Sequence, residues 1–196
     1  MEGNTIMISV KTLPNILYLD FETSGLDPER HAILQAAWIL EKNGEVIQER
    51  VYDVKPESND DMCLAALEVN GFDFNRIKAG TSLNVMIAAL KRDCLQVELP
   101  RICGHNVQFD IGFLHKASNK VSEYIRAYLD TRTFLDTAAI ARYYDYKGLL
   151  SLDRYNLEEC CRHFGIVNDK AHDALGDIRA TRRLFHILAD FKVNIS

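Results

Sequence analysis

The chain has 196 residues, 47% of them hydrophobic and 26% charged, as in an ordinary single-domain globular protein. Its formal net charge of −5 argues against a protein that binds duplex nucleic acid through a basic surface. No apolar run is long enough for a membrane span, and residues 1–15 lack the basic and apolar regions of a signal peptide. We therefore expect a cytoplasmic protein.

The five cysteines are an odd number and include no C-x-x-C pair, which argues against a disulfide framework and against a zinc site. Most of them lie at apolar-periodic positions. We expect reduced thiols in the core of a cytosolic protein. They are Cys63, Cys94, Cys103, Cys160 and Cys161.

The first predicted element is the stretch ILYLDFETSGL, residues 16–26. Its apolar start is typical of a buried strand, and alternation along a strand places Asp20 and Glu22 on one face at the strand's end. Two such carboxylates repel each other unless a cation lies between them, and hard divalent cations bind oxygen ligands. The alternative is a polar loop after a strand, which is far more common for an isolated D-x-E.

Strands are predicted next over residues 32–40 and 46–54, joined by a hairpin at Asn43-Gly44. Further strands are predicted over residues 101–104 and 133–135. Helices are predicted over residues 61–69, after Ser82, from about Gln108, over 121–129, from Asp136 to Tyr144, from Asn156 to Gly165, and over 173–191. A three-strand meander followed by alternating strands and helices indicates an α/β layered fold with a mixed sheet.

Two more acids lie on the apolar stripes of predicted helices. Asp177 falls within the stripe of the last helix, and Asp110 lies on the same helix face as Phe113 and Leu114. For each acid alone, an ion pair with Lys or Arg is the simpler explanation. Together with the pair at the strand end, they favour a metal centre with four carboxylates.

His172 lies five residues before Asp177, so on one continuous helix it would point ~140° away from that acid. To reach the same site it must lie in the loop or cap that precedes the helix. A histidine in a loop is usually a surface residue. Its position immediately before the helix that carries Asp177 favours a general base.

The stretches LYLDFETSGL, GHNVQFDIGFL and HDALGDIRATRRLF resemble, in this order, the three motifs of the DEDDh (DnaQ-like) 3′–5′ exonucleases. This family includes the proofreading subunit of bacterial DNA polymerase III, RNase T and oligoribonuclease. The resemblance runs from about Asn15 to Phe191, with ALEVNGF and DTAAIARYY in between. It implies a ribonuclease H-like fold, a five-stranded mixed sheet flanked by helices, and we expect an N-terminal tail over residues 1–14 and a single domain over 15–192.

The resemblance also implies roles for individual residues. The catalytic residues are Asp20, Glu22, Asp110, His172 and Asp177, of which the four acids hold two Mg²⁺ or Mn²⁺ ions and His172 is the general base. The residues that bind substrate are Thr23, Ser24, Gly25, Leu26, Val69, Asn70, Asn106 and Phe109. For Leu26 and Phe109, plain core packing is a competing explanation.

Two positions depart from the family pattern. Gln35 stands in the second strand where relatives commonly have Glu, and we interpret it as non-catalytic. Asn70 stands where many relatives carry a histidine that contacts substrate, which leaves the details of the terminal-nucleotide pocket open.

The implied function is a 3′→5′ exonuclease that acts on single-stranded ends, with DNA favoured, and releases nucleoside 5′-monophosphates. The alternatives are 3′ trimming of RNA and a catalytically silent nucleic-acid-binding module. No membrane partner is expected. The short segment 193–196 favours a free-standing enzyme, while a polymerase partner and a homodimer both remain open.

Overall fold

The computed structural model describes residues 14–168 and 173–190. A five-stranded sheet in the order β3-β2-β1-β4-β5 organises the chain. The strands are antiparallel from β3 to β1 and parallel from β1 to β5, so the predicted five-stranded mixed sheet is confirmed. The strands are β1 (Ile16–Thr23), β2 (Ile33–Lys42), β3 (Glu45–Asp53), β4 (Arg101–Gly104) and β5 (Asp130–Asp136).

Seven helices are seen in the part of the chain that the structure describes, and none of them is long and apolar enough to cross a membrane. The helices are α1 (Leu64–Asn70), α2 (Phe74–Ala79), α3 (Leu83–Cys94), α4 (Gln108–Lys120), α5 (Thr137–Tyr146), α6 (Leu157–Phe164) and α7 (Ala174–Ala189).

The central strand β1 is buried on both faces, as expected of an apolar strand between two layers of helices. On one face Leu17 and Leu19 join the core that includes residues of α3 and α4. On the other face Tyr18 packs with Ala174 and Ile178 of α7. Because α7 covers the face from which alternate side chains of β1 project, its first turn lies beside the end of that strand.

Several local predictions are confirmed. Asn43 and Gly44 form the hairpin turn with φ angles of 53° and 85°. Asp136 and Asn156 cap α5 and α6 by accepting backbone N–H groups, and Gly165 ends α6 in the left-handed conformation. Ser82 stands at the N-cap of α3, but its side chain makes no capping hydrogen bond.

The helix predicted over residues 121–129 is wrong. Only Ile125–Ala127 is helical there, as a single 3₁₀ turn. Ser122 has a φ of 56°, a left-handed conformation that a helix cannot continue through. Conversely, the short helix α2 was not predicted. It begins directly after its N-cap, Asp73, whose carboxylate accepts the N–H of Arg76.

All five cysteines are free thiols, and four of them are buried. Cys63 is the exception to the expected core position, because it is exposed. The domain boundaries at residues 14, 15 and 192 stay a prediction, since residues 1–13 and 191–196 lie outside the described residues.

Candidate active site

Three of the four predicted acids meet at the end of β1. Asp20 and Glu22 extend from the strand, Asp177 from the first turn of α7, and each offers a ligand oxygen within 4.8 Å of those of the other two. The first turn of α4 brings Asp110 to the same strand, where its carboxylate accepts the N–H of Phe21 at 3.0 Å. The sheet and two helices thus assemble acids that are up to 157 residues apart, from position 20 to position 177.

These carboxylates destabilise one another's charge. Burial raises the pKa of Asp20 well above its usual range, and the neighbouring charges of Asp110, Asp177 and Glu22 raise it further. Burial also raises the pKa of Glu22 to about 7, with contributions from Asp177 and Asp173, while Arg76 acts in the opposite direction.

Asp110 shows the same tendency. Burial raises its pKa, and the hydrogen bond from Phe21 only partly opposes that effect. A cluster of carboxylates with raised pKa values gains most from a bound cation, since the cation cancels the repulsion. The donor set of these acids consists of oxygen atoms alone, which suits hard divalent cations better than metals that prefer nitrogen or sulfur ligands.

Asp177 has a neighbour that the sequence did not reveal. Asn168, in the segment between α6 and α7, donates an N–H from its side-chain amide to Asp177 at 2.6 Å. Asp173 caps α7 by accepting the N–H of Gly176. His172, the predicted general base, lies outside the described residues.

A largely apolar cleft of about 590 Å³ opens beside the acids, a volume in the range of small-molecule sites. Six predicted substrate-binding residues line it: Thr23, Gly25, Leu26, Val69, Asn70 and Phe109. The acid Glu22 also lines the cleft and connects it to the cluster of carboxylates. Residues with no predicted role in binding complete the lining: Phe21, His31, Cys63, Ala65 and Ala66.

Two predicted substrate-binding residues do not line this cleft. Ser24 is fully buried. Its hydroxyl donates to the carbonyl of Asp61 and accepts the N–H of Ala32. Asn106 is in the left-handed conformation, and its N–H donates to Asp136 at 3.1 Å. The hydroxyl of Ser24 therefore serves the local fold. Asn106 does not line the cleft, and its contact with substrate stays a prediction.

Asn70 and Gly25 shape the cleft indirectly. The amide of Asn70 donates to the carbonyl of Thr23 at 3.1 Å and so ties α1 to the end of β1. The ring of His31 lies so close to Gly25 that a Cβ there would overlap it. The absence of a side chain at Gly25 therefore accommodates His31, in addition to the predicted close approach of substrate.

Comparison with known proteins identifies the family to which the chain belongs. The model of an exonuclease family matches residues 17–185. A PolC-type DNA polymerase III of Thermotoga petrophila is 28% identical over 168 residues, which cover 85% of this chain but 11% of the polymerase. Ribonuclease T of Shewanella frigidimarina is 26% identical over 186 residues, which cover 88% of this chain and 80% of the ribonuclease. The chain thus spans about a tenth of the length of the PolC-type relative.

Solved structures share the fold. E. coli exonuclease I in complex with a dT13 oligonucleotide superimposes with a TM-score of 0.78 at 21% identity, over 91% of this chain and 41% of that one. The zinc-bound form of its complex with single-stranded DNA gives a TM-score of 0.74, also at 21% identity, over 88% of this chain and 40% of that one. With a family match that covers most of its length, the chain belongs to the DnaQ-like 3′–5′ exonucleases and has their ribonuclease H-like fold.

Proposed function

We propose that the protein is a metal-dependent 3′→5′ exonuclease that removes nucleoside 5′-monophosphates from single-stranded 3′ ends, with DNA as the favoured substrate. The observation that carries this proposal is the convergence of Asp20, Glu22 and Asp177 within 4.8 Å, at the edge of an apolar cleft. Family membership supports it. A buried cluster of acids would be costly to keep without a ligand that binds it.

Asp20, Glu22, Asp110 and Asp177 would hold two divalent cations, and the all-oxygen donor set favours Mg²⁺ or Mn²⁺. When bound, such ions lower the pKa of an attacking water and stabilise the charge on the leaving 3′ oxygen. His172 would accept the proton of that water as general base, so activity should rise with pH as the imidazole loses its own proton. Asn168 would orient Asp177 through its 2.6 Å hydrogen bond.

The cleft would receive the terminal nucleotide. Leu26 is 82% exposed at its rim, and Phe109 is partly exposed while its ring packs 5.0 Å from that of Phe113. Both present apolar surface to a base, and stacking of this kind tolerates any base. The packing of Phe109 on Phe113 also makes it part of the core, so its two expected roles are compatible.

RNA trimming is the second candidate, because ribonuclease T and an oligoribonuclease of Haemophilus influenzae, 31% identical over 138 residues, are among the relatives. The preference for DNA is supported by the PolC-type relatives. The sugar specificity depends on contacts at the 2′ position, where a protein distinguishes RNA from DNA.

The test is a time course on 5′-labelled DNA and RNA oligomers of one sequence, with Mg²⁺, with Mn²⁺ and with EDTA. Stepwise shortening from the 3′ end, absent with EDTA and in the variant Asp110→Asn, is expected. Faster shortening of the RNA strand, or of di- to pentanucleotides, would favour the second candidate. Strand binding without cleavage under every metal condition would instead indicate a catalytically silent module.

A further inference from the structure

Gln35 occupies a buried position with a hydrogen bond at each end of its amide. It lies on β2 directly opposite Asp53 of β3, and it is only 3% exposed. Its oxygen accepts the N–H of Ala174 at 2.9 Å, and its nitrogen donates to Asp53 Oδ1 at 2.9 Å. Both partners demand the same orientation of the amide, because one is a donor and the other is an acceptor.

Asp53 continues the chain of contacts to Arg76. The guanidinium of Arg76 donates to both carboxylate oxygens of Asp53 at 2.8 Å, a bidentate pair, and lies 3.8 Å from the ring centre of Phe72. The network therefore joins four elements: β2, β3, α2 and the start of α7.

The end of this network lies close to the site. Ala174 is the first residue of α7, and Asp177 lies in the first turn of the same helix. The first N–H groups of a helix have no partner within the helix, so the bond from Ala174 to Gln35 fixes where α7 begins. The hydrogen bond to Asp53 raises the pKa of Arg76, and the nearby charges of Asp173 and Glu22 raise it further, so the guanidinium lies close to the acids of the site.

We infer that Gln35, Asp53 and Arg76 are positioning residues that hold the start of α7 so that Asp177 meets Asp20 and Glu22, and that Gln35 must be an amide because Asp53 stands opposite it. A glutamate at position 35 would place two carboxylates at hydrogen-bond distance with no proton between them. The inference rests on the proposed function for its metal-binding consequence.

The test is a double-mutant cycle of Gln35→Glu, Asp53→Asn and both together. Gln35→Glu should weaken Mn²⁺ binding about 10-fold to 100-fold, the usual effect of losing a residue that orients a ligand. The double variant should recover part of this loss, because an amide at position 53 can donate to the new carboxylate at position 35, while its one oxygen keeps only one of the two hydrogen bonds from Arg76. Gln48→Glu, the same change at a residue of β3 whose amide donates to the carbonyl of Glu49, should leave Mn²⁺ binding unchanged.

Three measurements keep the outcomes separate: Mn²⁺ affinity by calorimetry, kcat and KM on a single-stranded oligomer, and hydrogen exchange at the Ala174 amide. We expect faster exchange at Ala174 in Gln35→Glu and slower exchange again in the double variant. Gln35→Met removes both hydrogen bonds without adding a charge, and serves if Gln35→Glu does not fold.

Two results would overturn the inference when the wild type binds Mn²⁺ and cleaves. The first is a Gln35→Glu variant whose Mn²⁺ affinity equals that of the wild type. The second is a double variant whose loss of Mn²⁺ affinity equals the product of the two single losses. If the wild type neither binds Mn²⁺ nor cleaves, the proposed function fails. Exchange at Ala174 then still decides whether Gln35 holds α7, and unchanged exchange in Gln35→Met would reject that as well, because a methionine side chain offers no oxygen to the N–H of Ala174.

Discussion

Two sets of buried acids in this protein have opposite surroundings. Glu41 and Asp93 are 1% and 0% exposed, as buried as Glu22 and Asp110 at 8% and 4%. Glu41 accepts from Arg182 at 2.6 Å and lies 2.9 Å from a ring nitrogen of His186. Asp93 likewise accepts hydrogen bonds from cationic and neutral donors, Arg50, Arg92, Gln96 and Trp38.

The difference is in the partners, since burial alone is the same. A buried charge is tolerated when the protein itself supplies counter-charge and donors, and Glu41 and Asp93 are structural for that reason. At the end of β1 the nearest charges of Asp20 are other carboxylates, which raise its pKa in addition to burial. Among the residues that the structure describes, a buried acid whose nearest charges are other carboxylates is thus the feature that distinguishes the proposed metal site from a structural ion pair.

The largest difference between the two sets should appear when one acid of each set is replaced by its neutral amide. Asp20→Asn, Glu22→Gln, Asp110→Asn and Asp177→Asn should each reduce kcat by about 10³-fold, because the metal contributes several kcal/mol and each tenfold is about 1.4 kcal/mol. The metal-free proteins should be as stable as the wild type or more stable, since repulsion is relieved. Single-turnover rates and urea unfolding measure the two effects.

Glu41→Gln is the matched control from the other set. It should leave kcat unchanged and lower the free energy of unfolding by about 1.5–3 kcal/mol, the range for hydrogen bonds to charged groups. If two of the four acid variants kept rates near the wild type with Mg²⁺, the four-carboxylate centre would be wrong.

The general base should separate catalysis from metal binding. His172→Ala is expected to lower kcat by about 10²-fold to 10⁴-fold, and to flatten the rise of the rate with pH, because it removes the proton acceptor. Mn²⁺ affinity should stay the same, since the imidazole is not proposed as a ligand. His163→Ala, an exposed histidine of α6, is the control and should change neither quantity. Loss of Mn²⁺ binding in His172→Ala would place the imidazole among the metal ligands.

The pH dependence of stability should reveal the effect of burial and of neighbouring carboxylates on Glu22. The pKa of Glu22 is raised in the folded protein to about 7, above the unfolded value near 4.5, so between these values the folded state binds a proton that the unfolded state lacks. The contribution of Glu22 is therefore fully present below about pH 4.5 and is lost as the pH rises towards 7, by about 1.4 kcal/mol per pH unit for one proton.

Urea unfolding of the metal-free protein from about pH 4.5 to about pH 7.5, compared with Glu22→Gln, isolates this contribution. The stability of the wild type should fall relative to that of the variant over this range, and saturating Mn²⁺ should remove the difference. Parallel curves for the two proteins without metal would show that Glu22 does not carry a raised pKa.

The smallest expected effect is on salt dependence. Lys116 forms an ion pair with Glu29, and Lys120 forms ion pairs with Glu57 and Asp60, so these two cations are already neutralised and contribute little to a basic groove. The affinity for single strands should fall gently with salt, since log K drops by ~0.7 per neutralised phosphate for each log unit of salt. Degradation should be distributive.

Strand affinity across a salt series with Ca²⁺ in place of Mg²⁺, with Asp177→Ala as control, measures the slope. The competing expectation is a groove formed by the remaining scattered cations, including Arg126, Arg142 and Lys147. A slope that corresponds to about six phosphates or more, together with processive trimming, would favour that groove.

Sequence periodicity alone predicted the parts of this protein that depend on local geometry. Alternation along β1 placed Asp20 and Glu22 on one face, and helical spacing placed Asp110 and Asp177 on inward stripes, because a strand and a helix fix the directions of their own side chains. The hairpin at Asn43 was predictable from a different local signal, the preference of Asn-Gly for a tight turn, whereas the five-stranded sheet was implied by the family resemblance.

The hydrogen-bond partners of these residues depend on how the helices and strands pack, and so they were seen only in the structure. The sequence indicated only that Gln35 is non-catalytic, whereas the structure shows that its amide binds Asp53 at one end and Ala174 at the other. Asn168 contacts Asp177, and Ser24 is turned into the core, through hydrogen bonds to residues that are 9 and 37 positions away. Such contacts leave no periodic signal, because their distance along the chain is set by how the helices and strands pack against one another.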